Sequence, residues 1–138
     1  MAQCQGSALM ANRRFPDDIL STLQQSKSLR IRAGRGTHRF IGIWMVVVDA
    51  RVFVRSWSLK AGGWFRTFLK EPRGAVQIAT SEIRIRAVRT RSTRTKAAVD
   101  RAYLAKYSTK WEAKYARDLV SEKSRDTTIE LVPLAGGR

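Results

Sequence analysis

Phe40-Ile41-Gly42-Ile43-Trp44-Met45-Val46-Val47-Val48-Asp49, then Val52-Phe53-Val54-Arg55-Ser56-Trp57-Ser58, is the stretch that decides the fold. Side chains of an extended strand alternate between two faces. Phe40, Trp44, Val46 and Val48 then share one face, and Ile41, Ile43, Met45 and Val47 the other. Both faces are apolar, so the strand is expected to be covered on both sides, by a barrel interior and by a helix or a partner chain. Asp49-Ala50-Arg51 turns the chain and Val52–Ser58 returns beside it, which reads as a hairpin. The apolar run Ile41–Val48 is far too short to span a bilayer.

Working outward, Leu29-Arg30-Ile31-Arg32 alternates as a short strand, and Gly34-Arg35-Gly36-Thr37 is a turn. Upstream, Pro16-Asp17-Asp18 suits a helix first turn, and a helix over Pro16–Ser26 sets Ile19, Leu20 and Leu23 on one face. Residues 1–15 read as a flexible leader. Downstream, Lys60-Ala61-Gly62-Gly63 breaks the pattern, and Trp64–Lys70 has helical spacing that Pro72 ends. Gly74–Thr80 and Glu82–Arg89 read as strands, and Arg89–Lys96 as a basic loop. Helix follows from Ala97 to about Lys123, with Ser108-Thr109 as a point of division. Its stripe of Tyr103, Tyr107, Trp111, Tyr115 and Leu119 is expected to be a packing face. Thr127–Val132 closes the sheet, and residues 135–138 form a flexible tail. The expected architecture is mainly β with α: a six-stranded antiparallel barrel with peripheral helices, one domain over residues 16–134.

A chain of 138 residues has room for one such domain. Its net charge of +16 is its strongest compositional signal. From Arg30 to Lys96 there are 16 Lys and Arg against three acids, so nearly all the excess lies on the expected barrel. Such a field attracts polyanions, phosphorylated ligands or acidic surfaces. Cys4 is the single cysteine and can form no internal disulfide, which fits a reducing, cytoplasmic compartment. The basic residues of the N-terminus follow its weakly apolar stretch, the reverse of a secretory signal.

Several chemistries lack their parts. One histidine, His38, and one cysteine remote from it offer no zinc site, and no metal ligands are expected. No phosphate-cradling GxxxxGK[ST] loop occurs, and the acids Asp49, Glu71 and Glu82 fall near turns, where solvated carboxylates belong. An enzyme built on these residues would take its difficult chemistry from a bound cofactor, and no catalytic residue can be named. Three clusters carry anion-binding donors: Gly34–Arg39, Arg55-Ser56-Trp57-Ser58, and Gly62-Gly63-Trp64-Phe65-Arg66 at a helix start. Arginine forks match phosphate oxygens, so the three clusters together could hold one phosphate. Arginines on strands more often sit on a solvated face.

Ile41–Asp49, Val52–Trp57, Gly63-Trp64-Phe65-Arg66, Ala102–Tyr107 and Thr127–Pro133 together resemble a family of short bacterial proteins without an established activity. The resemblance covers about Ser28–Pro133. The layout is also similar to the deazaflavin-dependent nitroreductases and, more distantly, to the pyridoxamine-phosphate-oxidase-like split barrels. That similarity implies a flavin-binding-like split barrel, a homodimer, and FMN or a deazaflavin as cofactor. It implies cofactor phosphate near Arg35, Thr37 and Arg39. Ring or ribityl contacts are implied near Arg55, Ser56, Trp57, Gly63, Trp64 and Arg66. Gly63 stands where the nitroreductases carry proline, and Thr67-Phe68 where they carry Asn-Leu.

Three functions follow as expectations. The first is a flavin- or deazaflavin-binding split-barrel protein, which, if it is an enzyme, is a cofactor-dependent oxidoreductase of unknown substrate. The second is a nucleic-acid-binding barrel, with Arg84, Arg86, Arg89, Arg91, Arg94 and Lys96 as a basic ribbon and Trp57, Trp64 and Phe65 stacking on bases. The third is a cofactor-free structural or partner-binding barrel.

Overall fold

A computed structural model describes residues 14–34, 39–57 and 63–134. The expected tail, most of the expected leader, and residues 35–38 and 58–62 lie outside the described residues. Helix α1 (Asp17–Gln25) precedes β1 (Leu29–Ala33), β2 (Ile41–Ile43), β3 (Met45–Val48) and β4 (Arg51–Val54). Then come α2 (Trp64–Lys70), β5 (Arg73–Ile78), β6 (Ser81–Arg89), α3 (Thr93–Lys106), α4 (Lys110–Leu119), α5 (Glu122–Arg125) and β7 (Ile129–Pro133).

Seven strands among the described residues form one antiparallel sheet in the order β2-β1-β5-β6-β7-β4-β3. The two outermost strands of that order are consecutive pieces of one chain segment, so the sheet curls into a nearly closed barrel. The expected count of six strands is corrected here to seven. Phe40–Asp49 is not one strand: it bends at Trp44, pairing with β1 before the bend and with β4 after it. Asp49 and Ala50 both take positive φ, 53° and 61°, the primed two-residue turn that matches strand twist in a hairpin.

The bend has a physical cause in α3. Backbone groups that leave a ladder inside a protein need other partners. The Tyr107 hydroxyl accepts from the Met45 amide at 3.1 Å and lies within donating distance of the Met45 and Lys27 carbonyls, at 3.1 and 2.7 Å. The Tyr103 hydroxyl donates to the Trp44 carbonyl at 3.1 Å. Lys106 Nζ donates to the carbonyls of Met45 and Leu23, at 3.1 and 3.0 Å. The Trp44 ring stacks on Tyr107, centroids 4.0 Å apart and planes 3° from parallel. Three side chains one helical turn apart therefore replace the missing sheet bonds.

Two apolar clusters result. Inside the barrel, Ile31, Met45, Val52, Val54, Val76, Ile85, Ile129 and Leu131 pack with Leu20 and Leu23 of α1 and Phe65 and Phe68 of α2. Outside it, Val46 and Phe53 from β3 and β4 meet Val99 and Tyr103 of α3, Tyr107 at its C-cap, and Ala116 and Leu119 of α4. After the bend the apolar faces expected for the long strand are covered, the outer one by this chain's own helices, whereas before it Ile41 is 44% exposed. The expected basic loop Arg89–Lys96 is shorter than read: α3 begins at Thr93, because the Ser92 side chain caps the Thr95 amide at 3.2 Å. Helix α4 starts with a capping box between Thr109 and Glu112.

Lys106 gives the bend a pH signature. Burial, and then the nearby Lys27 charge, lower its amine from the usual 10.5 to about 8. The acceptors around Nζ oppose that shift without cancelling it. An amine whose folded value is depressed leaves the unfolded chain holding more protons between the two values, so stability rises with pH there. Burial pushes the Tyr103 and Tyr107 hydroxyls the other way, above 10, so their contribution is lost as pH rises past 10. Melting temperature should therefore climb from pH 8 to about pH 10 and then fall. Lys106→Met should flatten the climb. A wild-type curve that declines steadily from pH 8 contradicts this account.

Candidate functional site

β1 and β6 alternate apolar residues inward with arginines outward: Leu29, Ile31 and Ala33 against Arg30 and Arg32, and Ile83, Ile85 and Ala87 against Arg84 and Arg86. The pairing register turns that alternation into a cluster. Arg32 lies opposite Ala75 on β5, and Ala75 lies opposite Arg84 on β6. Arg73, two residues before Ala75, shares its face. Two arginines thus flank one small residue across adjacent strands, and a third stands beside it. With Gly34, Gly74 and Leu134 they line a recess of about 580 Å³.

The electrostatics of the recess are unbalanced. Arg32 is tethered by Glu82 at 3.1 Å, and its guanidinium lies 4.6 Å from the Phe40 ring centroid. Arg73, Arg84 and Arg86 have no ion-pair partner among the described residues. Arg73 and Arg86 are cross-strand partners, and like charges placed directly opposite destabilise a sheet. A bound anion would offset that repulsion and accept charge-assisted hydrogen bonds from the guanidinium forks.

The site residues named from the sequence fall into two regions. Arg35 and Thr37 lie outside the described residues. Gly34, at the root of their loop, takes φ +77°, and a Cβ there would approach the Thr67 methyl to 3.1 Å. Gly34 thus lies close against Thr67 of α2. Arg39 and Arg66 are exposed. Gly63 caps α2, and Trp64 is half-buried with its ring edge-to-face on Phe65 and Phe68.

Arg55, Ser56 and Trp57 belong to a second region, against the C-terminal helices. The Arg55 side chain has no solvent exposure. It donates from Nε to Thr128 Oγ1 (2.8 Å), from Nη1 to Asp100 Oδ1 (2.6 Å) and the Leu119 carbonyl (2.8 Å), and from Nη2 to the Lys96 carbonyl (3.0 Å). Arg125 holds the other Asp100 oxygen at 2.7 Å. Ser56 is buried, its amide donating to Thr127 Oγ1 and its carbonyl accepting from Ser124. Trp57 is partly exposed and donates from Nε1 to the Tyr115 carbonyl at 3.3 Å.

Sequence reading missed Arg73 as a site residue and did not join Arg32 to Arg84. Alternating arginines on β1 and β6 were a visible signal, but only the register across β5 brings them together. The expected basic ribbon is divided. Arg84 and Arg86 face outward from β6, whereas Arg89 donates to the Asp126 carbonyl and Lys96 lies 3.7 Å from the Asp126 carboxylate. Phe65, expected to stack on bases, is instead buried in the barrel interior, because α2 turns that face onto the core.

An antiparallel barrel closed through one bent strand, with helices packed around it, defines a split β-barrel. Its model matching residues 19–131, the chain belongs to the family described as "Uncharacterized protein conserved in bacteria", DUF2255. Among solved structures it is similar to the conserved hypothetical protein Rv2991 from Mycobacterium tuberculosis, at 12% identity and a TM-score of 0.55, covering 88% of this chain and 81% of that one. It is also similar to a "Putative Pyridoxamine 5'-phosphate oxidase" from Listeria innocua, at 18% identity and a TM-score of 0.53, covering 85% and 91%. At these identities the likeness is one of fold. No curated protein matches the sequence. No helix among the described residues is long and apolar enough to cross a membrane.

Proposed function

We propose that this protein is a flavin- or deazaflavin-binding split barrel, a cofactor-dependent oxidoreductase that works as a cytoplasmic homodimer. The observation that carries this reading is the recess of Arg32, Arg73 and Arg84, where the guanidiniums of Arg73 and Arg84 have no ion-pair partner among the described residues. Its chemistry fits a phosphate. The fold likeness to a protein titled "Putative Pyridoxamine 5'-phosphate oxidase" supports the same class. The resemblance of the Gly34–Arg39 and Gly63–Arg66 segments to the deazaflavin-dependent nitroreductases supports it independently of that title.

In this reading Arg73 and Arg84 grip the cofactor phosphate, and Arg35, Thr37 and Arg39 are further candidate donors to it. Arg32, oriented by Glu82 and Phe40, adds charge without swinging free. Trp64 borders the ring or ribityl chain from α2. Arg55 holds the helical layer together and Ser56 fixes the chain beside it. A bound flavin would supply hydride or electron transfer. The residues of this chain bind and orient it, and their positive field favours a reduced, anionic ring.

Protein purified without added cofactor, and then dialysed against FMN or a deazaflavin, tests the reading. Expected is a visible absorption band that stays with the protein through gel filtration. A colourless protein that retains neither compound overturns it.

A further inference from the structure

A second concave site lies on the far side of the bend. Trp44, Trp57, Trp111, Tyr115 and Asp118 line a depression of about 410 Å³, toward the lower end of the roughly 300–1,000 Å³ typical of small-molecule sites. Trp111 is 66% exposed, Tyr115 40% and Trp57 39%, an unusual concentration of solvent-facing aromatic surface. The packing role expected for the helical stripe is fulfilled by Tyr103, Tyr107 and Leu119 but not by Trp111. Its indole therefore needs another explanation.

The arrangement of the rings narrows the ligand class. Trp44 meets Trp57, Trp111 and Tyr115 at interplanar angles of 70°, 63° and 83°. Tyr115 meets Trp57 at 87° and Trp111 at 77°. A flat ring needs two parallel walls, and none of these contacting pairs is parallel. Steeply inclined walls make a box, which suits a compact, rounded group. Aromatic faces carry partial negative charge and attract cations that have shed little-held water. Among the described residues Asp118 is the only charged one lining the depression, and its carboxylate has no side-chain partner among them. Lys114 Nζ already stands 5.7 Å from the Tyr115 ring centroid, so a cation does approach this aromatic surface.

We infer that this depression binds a methylated ammonium group, the head of a small choline-like compound, held by cation–π contact with Trp44, Trp57, Trp111 and Tyr115 and by the charge of Asp118. The chain's net charge of +16 opposes a cationic ligand at long range. Salt screens charges beyond about 8 Å at physiological ionic strength, so contacts inside the box decide affinity. Such contacts depend on no flavin.

Titrating the full chain with choline at physiological salt, followed by indole fluorescence and by the indole NH signals in NMR, tests the inference. Choline should bind saturably and perturb the Trp111 and Trp57 signals. Its uncharged carbon analogue 3,3-dimethylbutanol should bind about tenfold more weakly, since it keeps the shape and loses the charge. Trp111→Ala and Asp118→Asn, both at exposed positions, should each weaken choline about tenfold and leave the melting temperature unchanged. Adding phosphatidylcholine vesicles distinguishes a lipid headgroup from a free compound: the inference expects free choline to bind and vesicles not to sediment the protein. Equal affinity for the neutral analogue, sedimentation with vesicles but no binding of choline, or no response to choline overturns it.

Discussion

Arg55→Met is expected to destabilise the protein by about 3–5 kcal/mol, the usual loss when one partner of a buried ion pair is removed. The guanidinium satisfies four acceptors at once: Thr128, Asp100 and the carbonyls of Leu119 and Lys96. Those acceptors come from both long helices and from the residue before β7, so the side chain joins the outer layer to the barrel. Methionine fills much of the volume but leaves the carbonyls unpaired and Asp100 with Arg125 alone. Arg55→Lys should also be damaging, by about 2 kcal/mol or more, because one ammonium cannot match a planar fork spread over four acceptors. Against a typical total of 5–15 kcal/mol, the methionine variant would be partly unfolded at 37 °C. The urea midpoint measures this directly. An unfolding free energy, taken as midpoint times slope, within about 1 kcal/mol of wild type would show that the network contributes little.

Gly74→Ala should be the second large effect, at about 3 kcal/mol or a melting temperature lowered by roughly 10 °C. A Cβ at this position would lie 2.3 Å from the Arg32 carbonyl and 2.9 Å from the Phe68 ring. The nearer obstacle is backbone within the β1–β5 ladder, so it cannot swing aside as a side chain would. Gly42 is the matched control, since a Cβ there meets nothing within 4 Å. Gly42→Ala should therefore change stability by no more than about 0.5 kcal/mol. Equal melting temperatures for the two variants would contradict the close approach of β1, β5 and α2. The comparison also bears on function, because Gly74 lines the arginine recess.

Most strand and helix positions were legible because they depend on local alternation and spacing. Ile83, Ile85 and Ala87 against Arg84 and Arg86 announce a half-buried strand, and Trp64, Phe65 and Phe68 a helix face, without long-range information. The bend at Trp44 was not legible. Its residues are as apolar as their neighbours, and the break is made by hydroxyls and an amine some 60 positions away, on Tyr103, Tyr107 and Lys106. The start of α3 was hidden by Arg91-Ser92-Thr93-Arg94, whose composition reads as loop until Ser92 is seen to cap the helix. Arg55 shows the same limit for function. On paper it is one more cationic donor on a strand, and only the fold reveals the buried carbonyls that claim it. The recess of Arg32, Arg73 and Arg84 was half visible, since alternation pointed Arg32 and Arg84 outward but said nothing of Arg73 or of the cross-strand register.

The central claim is that this recess grips the phosphate of a flavin nucleotide. Comparing the affinities of FMN and riboflavin, which differ only by that phosphate, tests it most directly, in wild type and in the Arg73→Ala/Arg84→Ala double variant. Each charge-assisted hydrogen bond is worth enough to make FMN bind at least about tenfold tighter than riboflavin to wild type. The double variant should bring that ratio close to one while riboflavin affinity stays the same. An FMN-to-riboflavin ratio unchanged by removing both arginines, or no binding of either compound, would contradict the account.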